Sequence, residues 1–383
     1  MSSQTEANSQ ELLPGIPNEV TLSKISAKLS WRDFYTLSSV SRVWCHAIRS
    51  RQVYNARVLH HSTETLVLIN YIINERANGI ALYSMRGNSC YELPPIPNVA
   101  GGFPQNCQSV SLDAKIYVLG GYPDKGDCTS TVYVLDLVGQ GQWKQCAAMI
   151  EPRANFACGV MHEKIYMFDI SGRGEVYDPM GDTWSQLGSS PGSHLCRHVQ
   201  VLGEEFLLRE GFTDCLPMDD DDTSDSSDDD FSKVFEVYNP ATDQWRVLDP
   251  CCQTNGRIFF TAKGKLHHMD TRNPFCVKVH DAHENSWTHV HSSNFDSIGP
   301  VHMSSVMPLA VISVNDVLLA VVEWRTRCNA ASRGLCLLRS EGFGSSTNEI
   351  RWQKVVDLSR SLKKMAGMKR YHYWKFLMQS FEL

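Results

Sequence analysis

Five tryptophans, Trp143, Trp184, Trp245, Trp287 and Trp352, share one setting: each closes a short strand-forming run and a polar turn. The segments read VYVLDLVGQGQW, EVYDPMGDTW, FEVYNPATDQW, VKVHDAHENSW and CLLRSEGFGSSTNEIRW, at intervals of 41, 61, 42 and 65 residues. The two long intervals hold extra polar sequence, an aspartate run in one and Arg325–Arg333 in the other; without it the period is near 41. Units of that size cannot bury both faces alone and must stack on one another. Val-Tyr alternation predicts a strand with a buried face, and the Asp-Pro or Asn-Pro that follows predicts a tight turn. The tryptophan then opens the next strand and fills the space between units. A second strand pair precedes each hairpin, clearest in NCQSVSLDAKIYVLGGY and NFACGVMHEKIYMFDISG. Four strands per unit, repeated around a ring, make a β-propeller. Before the first tryptophan, TLVLINYII, GIALYSM and SCYELPPIP give three more strand-like runs with Tyr91 in the tryptophan place, so six blades are expected.

The flanks differ. Residues 12–58 place Leu22, Ile25 and Leu29, then Leu37, Val40, Trp44 and Ile48, at helical spacing. Asn18 or Thr21 suits one helix start, and Ser30 with Asp33 suits another. Helices of this size bury too little to fold with confidence alone and want a partner. Residues 1–11 are expected to be disordered. At the other end, residues 358–383 form a basic tail in which Trp374, Leu377, Met378 and Phe381 have helical spacing, predicting a short C-terminal helix with a wet basic face. The formal net charge of −6 is local: eight of the twelve residues Asp219–Asp230 are aspartate, and the rest of the chain carries +2. That run predicts a disordered acidic loop at 217–231, either an inert insertion or a screen over neighbouring basic residues. No apolar run reaches a membrane span, no secretory leader opens the sequence, and the 13 cysteines include no Cys-x-x-Cys pair, so reduced thiols inside a cell are expected.

The repeats resemble kelch repeats, marked by a double glycine after the second strand, a tyrosine in the third and a tryptophan in the fourth. Gly120-Gly121, Tyr133 and Trp143 make the clearest copy; Tyr177 with Trp184, and Gly211, Tyr238 and Trp245, are partial ones; and the last two copies lack the glycines and the tyrosine. The resemblance spans 62–356. Residues 12–58 resemble an F-box: Leu13-Pro14, Pro17, Val20, Ile25, Leu29, Asp33, Leu37, Val40-Ser41-Arg42 and Trp44 fall at that family's positions. The expected fold is therefore mainly β: a six-bladed kelch-type propeller, preceded by a small helical F-box module and followed by a short C-terminal helix.

The two resemblances imply a substrate receptor of a Skp–cullin–F-box ubiquitin ligase, acting in the cytoplasm or nucleus. Leu13, Pro14, Ile16, Pro17, Val20, Ile25, Leu29, Leu37, Val40 and Trp44 would bind the Skp adaptor, which leads on to cullin and RING subunits. By analogy with kelch propellers, the face that takes the protein substrate would carry Gln105-Asn106, Tyr122, Arg153, Asn155, Arg173, His194, Arg197, Phe212, Arg257, Thr271-Arg272 and Trp324-Arg325. Its arginines suit an acidic or phosphorylated segment. No cofactor or metal is expected; His194 with His198, and His280 with His283, have metal-compatible spacing but read more simply as strand and turn residues. Gly-rich phosphate loops, Gly-x-Ser-x-Gly and His-Glu-x-x-His are missing from the sequence, which argues against catalysis. Neither nucleic acid nor membrane is an expected partner. The alternatives are a kelch scaffold outside any ligase, its helices capping their own propeller, and, more distantly, a propeller enzyme.

Overall fold

The computed structural model describes residues 11–74, 77–124, 126–139, 141–169, 171–190, 196–210, 235–248, 258–269, 276–294, 303–326, 333–341, 343, 349–358 and 375–383. From Thr65 onward the named elements among the described residues are strands. Blade 1 holds β1 (Thr65–Asn74), β2 (Ala77–Ser84) and β3 (Ser89–Glu92); blade 2 holds β4 (Gln108–Leu112), β5 (Lys115–Leu119), β6 (Val132–Asp136) and β7 (Trp143–Cys146). Blade 3 runs β8 (Ala157–Met161), β9 (Lys164–Phe168), β10 (Gly174–Asp178) and β11 (Thr183–Gln186), and blade 4 β12 (Cys196–Leu202), β13 (Glu205–Glu210), β14 (Phe235–Asn239) and β15 (Gln244–Leu248). Blade 5 has β16 (Ile258–Ala262), β17 (Lys265–Met269), β18 (Val277–Asp281) and β19 (Ser286–Asn294); blade 6 has β20 (Met303–Val314), β21 (Val317–Thr326), β22 (Arg333–Glu341) and β23 (Glu349–Asp357). Each blade is antiparallel, and in blades 2 to 6 the strands run as a meander with the first strand innermost, so the six-bladed kelch-type propeller is observed. Blades 5 and 6 are also joined at their outer edge, where β19 runs parallel to β23 over Ser292–Asn294.

The C-terminal segment departs from expectation. Instead of a helix, Lys375–Glu382 forms β24, antiparallel to β1 from Thr65↔Glu382 to Ile72↔Lys375. It takes the innermost place in blade 1, giving the three-stranded first blade its fourth strand and closing the ring. The misreading has a physical cause. A strand between two blades is buried on both faces, so its apolar residues do not alternate with polar ones and the pattern mimics a helix. Met378 packs toward the side shared with blade 6 and Phe381 toward that shared with blade 2. The same division recurs within β5: Ile116 and Val118 join Leu66, Leu68 and Leu82, whereas Tyr117 and Leu119 join Phe156, Ile165 and Met167.

A repeated staple joins successive blades. The Nε1–H of Trp143, Trp184 and Trp245 donates to the carbonyls of Pro94, Ala147 and Gly188, each at 2.9 Å and each just after the last strand of the preceding blade. Opposite two of these tryptophans stand Tyr177 and Tyr238, whose hydroxyls donate to Asp182 and Asp243 in the adjoining turn. Those aspartates also accept the Ala147 and Gly188 amides. In blade 5 His280 and Asn285 occupy the same places. Blade 2 corrects the sequence alignment, because the residue opposite Trp143 is Leu135 and not Tyr133. The double glycine is fixed by close approach: Gly120 and Gly121 have φ +57° and +87°, and the Gly121 amide bonds the Arg153 carbonyl at 2.8 Å.

The helical module precedes the ring. A tight turn, Leu13 to Ile16, leads into α1 (Asn18–Val20), continued by a π turn, Thr21–Ile25, and a 3-10 turn, Ser26–Lys28; α2 (Trp31–Val40), α3 (Arg42–Ile48) and α4 (Arg51–Leu59) follow. Ser30 and Asp33 form the expected capping box at α2. Leu12, Leu22, Trp44, Ile48 and Val53 make the module's own core.

Candidate functional site

Strand order divides the ring into two faces. Within a blade, the turn between first and second strands and that between third and fourth share one face; the longer loops between second and third strands, and between blades, share the other. The module lies on the turn face: Arg51 of α4 pairs at 3.0 Å with Asp113, in the first turn of blade 2, and the Trp31 ring meets Tyr91 edge-on at 5.3 Å. The loop face lies on the far side of the ring from the module.

Two candidate surfaces follow. The first is the outer side of the module. Ser41 caps α3 by accepting the Trp44 amide at 3.2 Å, which explains the serine three residues before a core tryptophan. Trp44 is therefore buried in the module, as a support for the surface rather than part of it. Leu13, Ile16, Leu29 and Leu37 are half-buried, and Pro14 and Pro17 exposed. Val20, Ile25 and Val40 are 42%, 38% and 63% exposed. Of the nine large apolar residues standing exposed among the described residues, five lie between positions 20 and 59. That enrichment in one short module makes its exposed side a candidate docking surface.

The loop face is the second surface, and it sorts the expected residues. Tyr122 is half-buried, held by paired backbone bonds to Gln105 at 2.7 Å, and Asn155, at φ +55°, sits beside Asn106 through a 3.2 Å backbone bond. Arg173 is exposed, its guanidinium 3.0 Å from Glu151 and 2.9 Å from Ser171. Trp324 is half-buried against Gly334, where a Cβ would come within 2.7 Å of its ring. Arg153 is different: only 7% exposed, it ion-pairs with Asp169 and, at 2.8 Å, with the fully buried Glu175. It bridges blades 2 and 3 from within and offers no guanidinium to a ligand. Arg197 and Arg325 lie in β12 and β21, with side chains outside the described set. His194, Phe212, Arg257, Thr271-Arg272 and the acidic run Asp219–Asp230 also lie outside the described residues.

Several potentially reactive side chains within the described residues are buried in the packing. Burial pushes the Cys90 and Cys336 thiols up to about 12, far from nucleophilic thiolates. His280 is buried and bonded to Asn285, while His283 is exposed in the next turn, so the pair does not converge. No cluster of three or more His, Cys, Asp or Glu able to hold a metal occurs among the described residues.

One feature escaped the sequence reading. Glu64, between α4 and β1, and Arg57 of α4 are both almost wholly buried where the module meets the ring, 3.9 Å apart. Burial lowers the Arg57 pKa, with Glu64 opposing that shift. A base in a helix and an acid in the linker after it carry no distinguishing signal until the fold sets them side by side.

The chain is similar to several known proteins. Residues 105–150 match the model of the Kelch motif. An F-box/kelch-repeat protein of Arabidopsis thaliana is 24% identical over 307 residues, covering 74% of this chain and 81% of its own. The Arabidopsis F-box/kelch-repeat protein SKIP30 is 31% identical over 222 residues, 53% of this chain and 61% of that one. The solved structure of YjhT aligns with 74% of this chain and 96% of its own at a TM-score of 0.45 and 14% identity.

Proposed function

We propose that this chain, an F-box/kelch-repeat protein of the plant type, is the substrate-receptor subunit of a cullin–RING ubiquitin ligase in the cytoplasm or nucleus. The helical module docks on a Skp-family adaptor, which leads to the cullin and RING subunits, and the loop face grips a target protein. The receptor makes and breaks no bonds. It raises the effective concentration of target lysines near the charged ubiquitin-conjugating enzyme. The observation that carries the reading is the exposure of Val20, Ile25 and Val40 on a module whose other side is sealed against blades 1 and 2. On the loop face, Tyr122, Asn155, Arg173 and Trp324 are the residues offered to the target, with Arg173 suited to an acidic or phosphorylated segment.

A second reading has its own observation. Trp31, Tyr54 and Arg51 pack on the propeller, as they would in a scaffold whose helices only cap the ring. Proximity labelling in cells with the proteasome blocked separates the two. The receptor reading expects Skp, cullin and ubiquitinated targets around the wild type, and loss of the first two with Val20→Asp, Ile25→Asp and Val40→Asp combined. Identical neighbours for both proteins support the cap.

A further inference from the structure

The junction between module and ring converges on one residue. The Glu64 carboxylate accepts the Trp31 amide, at the start of α2, at 3.2 Å and the Ser84 hydroxyl, at the end of β2, on its other oxygen. Arg57 faces it from α4, its guanidinium also donating to the Leu29 carbonyl at 2.7 Å and lying 5.3 Å over the Phe34 ring. The Glu64 backbone exchanges both hydrogen bonds with Leu383, at 2.8 and 3.0 Å, directly after the ring-closing strand. One residue thus binds α2, α4, β2 and the end of β24. Around it Trp31, Tyr54, Leu383 and Phe381 share a single apolar cluster with Leu66 and Leu82. A hinge needs solvated, weakly packed linker residues, whereas this linker residue is buried and has partners on every side.

We infer that Glu64 is a positioning residue that fixes the helical module, and with it the adaptor-docking surface, at one orientation to the loop face of the ring. The consequence deepens the receptor role proposed above and rests on it: a target held on the loop face meets the ligase at a set place. Ring closure and module seating are then a single event, because the same residue completes both.

Single-molecule energy transfer in the full chain tests this, with dyes on unnatural amino acids at the exposed positions Ser39 and Met180. The wild type is expected to give one narrow population. Glu64→Ala is expected to broaden it at least twofold or split it, and Arg57→Met with Glu64→Ala is expected to stay broad, because the bonds to Trp31 and Ser84 are still missing. Recovery of the narrow population in the double variant would mean that only an unpaired buried charge had mattered, and would overturn the inference. A narrow population in Glu64→Ala overturns it too. If Glu64→Ala loses its helical circular dichroism, Ser84→Ala carries the test, since it removes one partner and keeps the ion pair; a width equal to wild type then overturns the inference. Purified Skp adaptor is expected to bind wild type and Ser84→Ala within about twofold of each other. Failure of wild type to bind refutes the docking reading while leaving the energy-transfer result to judge Glu64.

Discussion

Asp182 offers a graded test of the staple between blades. Its Oδ1 accepts the Tyr177 hydroxyl at 2.7 Å and the Ala147 amide at 2.8 Å, tying the third blade's last turn to the edge of the second. Its backbone is left-handed, with φ +48°, which Asn and Gly tolerate and Ala does not. Asp182→Asn keeps an acceptor and the backbone preference, so about 0.5 kcal/mol or less should be lost. Asp182→Gly keeps the backbone and loses both bonds, each worth roughly 0.5–1.5 kcal/mol net. Because the turn is at the surface and screened, the lower half of that range applies, about 1–2 kcal/mol for the two. Asp182→Ala adds the left-handed penalty of roughly 1 kcal/mol, for a total of about 2–3. Urea unfolding followed by tryptophan fluorescence gives the order directly. Equal midpoints for Asn and Gly would refute the staple, and equal midpoints for Gly and Ala would refute the backbone argument.

Further expectations follow from the turns and close approaches. In Gly121→Ala the new Cβ would lie 2.6 Å from the Gln105 carbonyl oxygen and 2.7 Å from the Cys107 nitrogen, at φ +87°, whereas Gly264→Ala, at φ +68°, meets nothing within 4 Å. Calorimetry should show a loss of about 3 kcal/mol or more for the first and about 1 for the second, and similar losses would count against the close-approach account. Exposed Glu163 sits at φ +58° in a two-residue hairpin turn where glycine is preferred, so Glu163→Gly should raise stability by about 0.5–1 kcal/mol; a fall in the urea midpoint would contradict this. The Ala147 amide, then the Tyr177 hydroxyl, holds the Asp182 carboxyl below the usual carboxylate range. A depressed pKa gives stability that is present above the unfolded-state value, roughly 3.9, and lost as pH falls through the lower folded value. The wild type should therefore lose its advantage over Asp182→Gly in acid, and a constant difference from pH 7 to 2 would contradict the assignment.

The sequence carried the ring well because its signal repeats. Each tryptophan packs between blades whatever its neighbours do, so the spacing stayed legible through Trp287 and Trp352, where the glycines and the tyrosine had gone. Single-copy features were harder to read. Tyr133 matches the family pattern in one dimension, yet strand register puts Leu135 opposite Trp143. Met378 and Phe381 fit a helix by spacing, but blade 1 lacked an inner strand, and that nonlocal demand decided their conformation. At the candidate sites, residue type was visible and accessibility was not. Arg153 and Arg173 look alike in sequence and both lie near Asp169 and Glu151, and the buried Glu175, which only Arg153 reaches, separates a buried bridge from an exposed guanidinium. Trp44 matched its motif for the same reason, although its ring faces inward.

The receptor role requires that the exposed side of the helical module bind an adaptor. Isothermal titration of the purified full chain with a purified Skp adaptor measures this directly. Saturable one-to-one binding is expected for the wild type and for Asp182→Asn, and its loss in the folded Val20→Asp, Ile25→Asp, Val40→Asp variant. A wild type that is folded by circular dichroism and takes up no adaptor, or a triple variant that binds as tightly as wild type, would contradict the claim.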